Sequence, residues 1–135
     1  MFDGRSLGED ETLQADLCIV GAGVAGITLA REFIGSSVQV LLVESGDTSP
    51  TPDTQELAKG EVTGQSYFDL DKSCRRGVGG SSWGWCIDLP DDRTGARLRS
   101  LDAIDFEERP EIPYSGWPIT LSDLEPYYEQ AHGVF

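Results

Sequence analysis

The stretch from Ala15 to Glu44 constrains the fold of this chain more than any other part of it. It reads ADLCIVGAGVAGITLAREFIGSSVQVLLVE, which is an apolar run, a glycine-rich turn, an amphipathic segment, a second apolar run and an acid. Leu17 to Val20 shows no alternation of apolar and polar residues, which is typical of a strand buried on both faces of a parallel sheet. With a second strand over Val38 to Val43, the pattern predicts a β–α–β unit.

The turn between the first strand and the helix carries three glycines in the pattern G-x-G-x-x-G. Gly21 permits a tight turn, Gly23 lets a pyrophosphate approach the backbone because it has no Cβ, and Gly26 lets the helix pack closely on the strand. Helix amides near Val24 and Ala25 would then face the phosphates. The alternative is an ordinary turn in a glycine-rich chain, but the register of strand, helix and second strand favours a dinucleotide-binding unit.

The helix of this unit and the acid at its end can also be interpreted. An apolar stripe of Ile27, Ala30 and Ile34, with Phe33 beside it, faces the sheet, and Gly35 is placed to end the helix. Glu44 closes the second strand, where a carboxylate accepts hydrogen bonds from both ribose hydroxyls of an adenosine. The same carboxylate would repel a 2′-phosphate, which argues against a phosphorylated nicotinamide cofactor.

The composition excludes several classes of function. The chain has 24 acidic and 10 basic residues, a net charge of −14, and no basic cluster, which argues against nucleic-acid binding. No apolar run approaches the ~20 residues of a membrane span. Residues 1–14 form an acidic leader without the apolar core of a signal peptide, and the predicted location is cytoplasmic. Residues 15–135 are predicted to form one partial domain.

The three cysteines form no C-x-x-C pair, and no metal site is predicted. Cys18 lies in the first strand and is interpreted as a small buried apolar residue. A disulfide between Cys74 and Cys86 is an open alternative to free thiols.

A second glycine-rich stretch, CRRGVGGSSWGW, runs from Cys74 to Trp85. Adjacent glycines followed by two hydroxyl residues predict a loop with exposed amides that wraps a phosphate or passes close to a flat ring. The alternative is a glycine–serine turn closed by Trp83 and Trp85. Arg75 and Arg76 either assist a pyrophosphate or are solvated.

Together these stretches resemble the GMC (glucose–methanol–choline) oxidoreductases, a family of flavoenzymes. The similar segments are ADLCIVGAGVAGITLAREF with VLLVESG, the loop RGVGGSS, and LDAIDFEERPEIPYSGWPITLSDLEPYY. The resemblance implies a Rossmann-like FAD-binding domain, incomplete in this chain, and FAD rather than NAD as cofactor. The residues that it implies for cofactor binding are Gly21, Gly23, Val24, Ala25, Gly26, Glu44, Ser45 with Gly46, Gly79, Gly80 and Ser82.

The family resemblance also implies an activity. A CH–OH group of an alcohol, sugar or polyol gives its hydride to flavin N5, and an electron-acceptor partner is possible. In the family the base belongs to a His/His or His/Asn pair in a C-terminal part that nothing here matches. No catalytic residue is therefore assigned, and the chain is interpreted as the FAD-binding portion. Trp83, Gly84 and Trp85 stand where the family has Asn or His near the flavin, so no covalent flavin link is expected.

Two other functions stay open. The chain is alternatively a non-catalytic dinucleotide-binding module or remnant, or an NAD-dependent Rossmann enzyme, although the latter class does not need the RGVGGSS loop.

The remaining segments carry weaker signals. A short helix is expected from Asp53, residues 87–100 form either an excursion over the flavin or a surface hairpin, and a final helix is expected to begin near Glu125 because Pro126 fits only a first turn. The acids around Asp105 are interpreted as a solvated face, and His132 as a helix residue rather than a base.

Overall fold

The computed structural model describes residues 1–88, 94–96 and 99–133. The chain divides into two compact units, Met1–Gly84 and Trp85–Phe135. Each unit is described by itself below.

The first unit is built on the β–α–β element that the sequence predicts. Strand β1 (Leu17–Val20) is followed by helix α1 (Val24–Glu32) and strand β2 (Val40–Val43). The two strands pair in parallel, with Leu17 opposite Val40 and Val20 opposite Val43. The result is a mixed α/β arrangement with a small two-stranded parallel sheet, consistent with the beginning of a Rossmann-like fold.

The core of this unit lies between the sheet and α1. Ile19 and Ala22 are buried, and Ile27, Ala30 and Phe33 are half-buried on the helix and just after it. The prediction that Ile34 belongs to this stripe is wrong, since its side chain is 79% exposed. The helix ends at Glu32, before Ile34 can continue the stripe, and Gly35 then adopts a left-handed conformation with a φ of +82°.

The prediction that β1 is buried on both faces is also wrong. Val20 is 84% exposed and Cys18 is exposed, whereas Ile19 between them is buried. Successive side chains of a strand point to opposite faces of the sheet, and α1 packs on only one of them. Cys18 is therefore an exposed thiol rather than a buried apolar residue.

Two short helices follow β2. Helix α2 spans Pro52–Glu56 and begins at an N-cap, Thr51, whose hydroxyl accepts a hydrogen bond from the Thr54 amide at 3.4 Å. Proline is favoured in a first helical turn, where its missing N–H costs nothing. The helix thus begins just before the predicted start at Asp53. Helix α3 spans Leu70–Ser73, which the sequence analysis did not anticipate.

The second unit opens with a hairpin. Strands β3 (Cys86–Asp88) and β4 (Thr94–Ala96) pair antiparallel, with Ile87 opposite Gly95. This pairing favours the interpretation of residues 87–100 as a hairpin over their interpretation as an excursion over the flavin. Residues 89–93 and 97–98 lie outside the described part of the chain.

The last helix, α4, spans Leu121–His132 and begins earlier than predicted. The Thr120 hydroxyl accepts from the amide of Asp123, and the Asp123 carboxylate accepts from the Thr120 amide at 2.8 Å. This reciprocal capping box starts the helix four residues before Glu125, and Pro126 is accommodated inside it. In the described part of the chain, no helix is both long and apolar enough to cross a bilayer.

Acids also cap a short 3₁₀ turn, Ala103–Phe106. The Asp105 carboxylate accepts from the Asp102 amide at 2.8 Å, which gives these carboxylates a structural role at the start of the turn.

Candidate functional site

The turn after β1 has the geometry that its outer glycines require. Gly21 has a φ of +102°, a conformation that favours glycine, and its amide donates to the Val43 carbonyl at 2.7 Å. An ideal Cβ placed on Gly26 would overlap the carbonyl oxygen of Gly21 and lie 3.4 Å from Cγ2 of Ile19. Only glycine lets α1 pack this closely on the end of β1.

Gly23 differs from both of these glycines. Its φ of −75° and ψ of −177° form an extended conformation that any residue adopts. An ideal Cβ at this position would have no atom within 4 Å outside its immediate neighbours. Neither the backbone nor the packing of the described chain therefore requires a glycine here, and the space in front of its Cα is open.

Helix α1 begins directly after this open position. Gly23 is its N-cap and offers no side-chain acceptor to the first turn, while its carbonyl accepts from the Ile27 amide at 2.9 Å. Val24 is half-buried and Ala25 is exposed. The first amides of a helix have no intrahelical partner, and the positive end of the helix dipole lies with them, so this end suits an anion.

Glu44 follows β2 and points back at the glycine turn. Its Oε2 accepts from the Ala22 amide at 2.8 Å, and its Oε1 accepts from the Gly46 amide at 3.0 Å. The hydroxyl of Ser45 donates to Oε1 at 3.2 Å. The carboxylate is therefore fixed at the carboxyl ends of both strands, beside the turn of Gly21–Gly26.

These contacts set the charge of the carboxyl group. Partial burial alone would raise the pKa of Glu44, but hydrogen bonds from the amides of Ala22 and Gly46, and from Ser45, lower the pKa below its ordinary value. Glu44 is ionised at neutral pH.

The second glycine-rich stretch lies directly on the first. The Gly79 amide donates to the Ala22 carbonyl at 2.7 Å, and Gly23 and Gly79 form an isolated parallel bridge. An ideal Cβ on Gly80 would lie 3.2 Å from the Cα of Gly23. The fold thus brings together two glycine motifs that are more than fifty residues apart in the sequence.

The approach of this loop runs along the residues after β2. The Val78 amide donates to the Asp47 carbonyl at 3.1 Å. An ideal Cβ on Gly46 would lie 2.6 Å from the Gly77 amide nitrogen, and one on Gly77 would lie 2.9 Å from the Asp47 carbonyl oxygen. Two backbones therefore touch here, which requires glycine on both sides.

The conformation of the second loop also depends on glycine. Gly77, Gly79 and Gly80 all have positive φ angles, of 147°, 92° and 57°. The indole Nε1 of Trp83 donates to the Val78 carbonyl at 2.9 Å, and the Ser82 hydroxyl donates to the Gly79 carbonyl at 2.6 Å. Trp83 thus closes the turn, which confirms the part of the alternative interpretation that concerns Trp83.

The expectation that this loop exposes its amides needs correction. The amides of Val78 and Gly79 donate to Asp47 and Ala22, and the Gly80 amide donates to the Gly77 carbonyl at 2.9 Å. These donors hold the loop in place, so these three N–H groups are already used within the chain.

The arginines before the loop differ from each other. Arg75 is exposed, and its amide donates to the Ser81 hydroxyl at 3.2 Å. Arg76 is half-buried, and its Nε has no hydrogen-bond partner although that atom is inaccessible to solvent.

Sequence reasoning missed three residues that organise this site. Ala22 bonds both Glu44 and Gly79, Asp47 holds Val78 through its backbone, and Gln55 contacts the segment before the loop. Ala22 occupies a variable position of the glycine motif and Asp47 acts through its main chain, so neither carries a side-chain signal.

The histidine and the cysteines are not assigned to the candidate site. His132 is exposed on α4, in agreement with its interpretation as a surface helix residue. Cys18, Cys74 and Cys86 are free and exposed thiols.

Comparison with known proteins finds distant relatives. The chain is 28% identical over 129 residues to 6'''-hydroxyparomomycin C oxidase of Streptomyces lividus, across 84% of this chain and 21% of that protein. It is 42% identical over 62 residues to 2-heptyl-3-hydroxy-4(1H)-quinolone synthase of Pseudomonas aeruginosa, across 44% of this chain and 16% of that protein. No protein-family model and no solved structure matches.

The chain thus spans about a fifth or less of the length of these relatives. The longer match, to an oxidase, supports an oxidoreductase in general terms. This match extends over most of the chain.

The lowered pKa of Glu44 predicts how the stability of the fold changes with pH. Because the pKa is lower in the folded chain than in the unfolded chain, the ionised carboxylate stabilises the fold above the ordinary glutamate pKa of ~4.3, and this contribution is lost as the pH falls through the folded value. Glu44→Gln should therefore lower the thermal midpoint more at pH 7 than at pH 2.5. Thermal melts of both proteins across this range test it, and an equal difference at both pH values would contradict it.

Proposed function

We propose that this chain is the FAD-binding part of an oxidoreductase of the GMC type, which oxidises a CH–OH group of an alcohol, sugar or polyol. The observation that carries the proposal is the contact between the two glycine-rich stretches, with the Gly79 amide 2.7 Å from the Ala22 carbonyl. A two-stranded parallel sheet with one glycine turn suits many dinucleotides. A second glycine loop laid along that turn suits a longer cofactor.

The residues present fit this cofactor at three points. Gly23 leaves an open space that no part of the described chain fills, so a pyrophosphate can approach its Cα. The uncapped N-terminus of α1 favours the phosphate charge. Glu44 has an ionised carboxylate beside the same turn and would accept bonds from the adenosine ribose, with Ser45 and Gly46 next to it.

The second loop would guide the rest of the cofactor. Gly79 packs closely on the indole of Trp83 and Gly80 on the Cα of Gly23, and Ser82 fixes the loop through its bond to Gly79. A loop built from glycines can pass close to a flat ring because its backbone carries few side chains. An NAD enzyme needs only the first glycine turn, so the second loop favours FAD.

The chemistry of the whole protein follows from the cofactor and the relatives. FAD, when bound, supplies an acceptor for the hydride of a CH–OH carbon. The oxidase that the chain resembles is named for a substrate that bears a hydroxyl group, which supports a hydroxylated substrate here. The chain's own residues bind and orient the cofactor, and the substrate, the base and the electron acceptor belong to other parts of the enzyme or to its partners.

Flavin retention tests the proposal directly. The purified protein is mixed with FAD, FMN or NAD and desalted, and the bound cofactor is measured by absorbance. We expect FAD to be retained and FMN to be lost, because FMN lacks the adenosine ribose that Glu44 would bind. Retention of NAD but not FAD would support an NAD-dependent enzyme, and a folded protein that retains none would support a non-catalytic remnant.

Replacement of Glu44 tests the ribose contact. Glu44→Ala removes hydrogen bonds to two ribose hydroxyls that together contribute ~1–3 kcal/mol, so FAD should bind about tenfold or more weakly. Glu9→Ala in the exposed leader makes the same change in net charge and serves as the control. Unchanged FAD affinity in a folded Glu44→Ala protein, measured by flavin fluorescence titration, would contradict the assignment of Glu44.

A further inference from the structure

Gln55 makes three hydrogen bonds to a single backbone segment. Its Nε2 donates to the carbonyls of Asp71 and Cys74, each at 2.7 Å, and its Oε1 accepts from the Arg76 amide at 3.2 Å. We infer that Gln55 is a positioning residue of the cofactor site, which fixes the lead-in to the second glycine loop so that this loop rests on the first glycine turn. The inference rests on the proposed function.

The chemistry of these three contacts fits a glutamine amide. Two carbonyl oxygens need two donors, and one amide N–H needs an acceptor, and the side-chain amide of Gln55 supplies all three groups in one plane. A carboxylate offers no donor, and an ammonium group offers no acceptor. The orientation of the amide is also settled, since a flipped side chain would set its oxygen against both carbonyls.

The contacts of Gln55 lead directly into the candidate site. Arg76, which it binds, is followed by Gly77, whose Cα lies against Gly46 and whose neighbour Val78 donates to Asp47. Gly79 then bonds Ala22 in the first glycine turn. Beyond it, the loop is held by its own residues Ser82 and Trp83. Gln55 thus secures the entrance of the loop.

Helix α2 fixes the position of the Gln55 backbone. The helix has five residues, and its start is defined by the Thr51 cap and by Pro52. The Gln55 amide donates to the Thr51 carbonyl at 3.1 Å, so the residue belongs to the first turn that the cap stabilises. Its side chain is half-buried in a groove lined also by Pro50, Asp71, Lys72, Cys74 and Arg75.

The test replaces Gln55 with glutamate, which keeps the size of the side chain. Gln55→Glu loses both donors and sets a carboxylate against the carbonyls of Asp71 and Cys74, so we expect FAD to bind about tenfold or more weakly. Hydrogen exchange should become faster at Val78 and Gly79, while α1 and β1 keep their protection. Gln65→Glu, at an exposed position, adds the same charge and should change neither property.

A second readout reports the loop without any cofactor. The indole N–H of Trp83 donates to Val78, so its NMR resonance should shift in Gln55→Glu and not in Gln65→Glu. Gln55→Met, which removes the contacts without adding charge, should reproduce the effect and replaces the glutamate variant if that protein does not fold. Unchanged exchange and an unchanged Trp83 resonance in a folded variant would overturn the role of Gln55.

The two proposals can fail separately. If the unaltered protein retains no FAD, the proposed cofactor is wrong, and the exchange and resonance measurements still decide whether Gln55 holds the loop. If the unaltered protein and Gln55→Glu bind FAD equally well, Gln55 is not a positioning residue and the FAD site stands.

Discussion

Gly26→Ala is expected to be strongly destabilised. The new methyl group would occupy the space of the Gly21 carbonyl oxygen, which belongs to the backbone and cannot rotate away. Relief requires α1 to move off the end of β1, and this would expose Ile19, one of the few buried apolar residues of the described chain. We expect a loss of about 3 kcal/mol or more, a large fraction of the stability of an ordinary domain.

Circular dichroism and a urea titration measure this loss. Gly8→Ala is the matched control, because its Cβ would have no atom within 4 Å and its φ is not in the positive range. The control should unfold at the urea concentration of the unaltered protein. A Gly26→Ala protein that unfolds at this same concentration would contradict the close packing of α1 on the strand.

Gly23→Ala is expected to have the opposite profile, with a retained fold and a damaged cofactor site. Its backbone conformation suits any residue and its Cβ would point into open space, so the cost to folding is limited to a weaker helix N-cap, about 1 kcal/mol. A bound pyrophosphate would meet the new methyl group, and overlap of this kind costs ~1–3 kcal/mol, about a tenfold to hundredfold loss of affinity. Gly23→Val should retain no FAD.

The experiment compares FAD affinity with the thermal midpoint for each protein. Gly8→Ala again serves as the control, because it adds the same methyl group in open space far along the chain from the turn. A folded Gly23→Val protein with undiminished FAD would show that the phosphate does not pass this residue.

The central β–α–β unit could be predicted from the sequence because its signals are local. The bounds of the first strand agree at Leu17 and Val20, since an apolar run bordered by Asp16 and Gly21 leaves little freedom. The glycine turn could also be predicted, because the spacing of its glycines is typical of a tight turn followed by a helix packed closely on the strand. The FAD assignment and the site residues remain predictions.

What could not be predicted depends on contacts between distant segments. Nothing local in the sequence says that Gly79 lies on Ala22, or that Gln55 holds Arg76, because both contacts join residues separated by twenty or more positions. The start of α4 was misplaced for a different reason. Pro126 predicts a start near Glu125, whereas the two reciprocal bonds of Thr120 and Asp123 outweigh the one helix bond that a proline removes.

The position of Glu44 affects the free-energy cost of binding a ligand beside the glycine turn. Its carboxylate is held by the amides of Ala22 and Gly46, so no rotamer would have to be frozen on binding the proposed ribose. Immobilising a flexible side chain on association costs ~0.5–1.5 kcal/mol, and here the fold has already met that cost. The acceptor is preorganised, so if Glu44 binds the cofactor as proposed, selectivity between cofactors would depend on which hydroxyl groups fit this fixed orientation of the carboxylate.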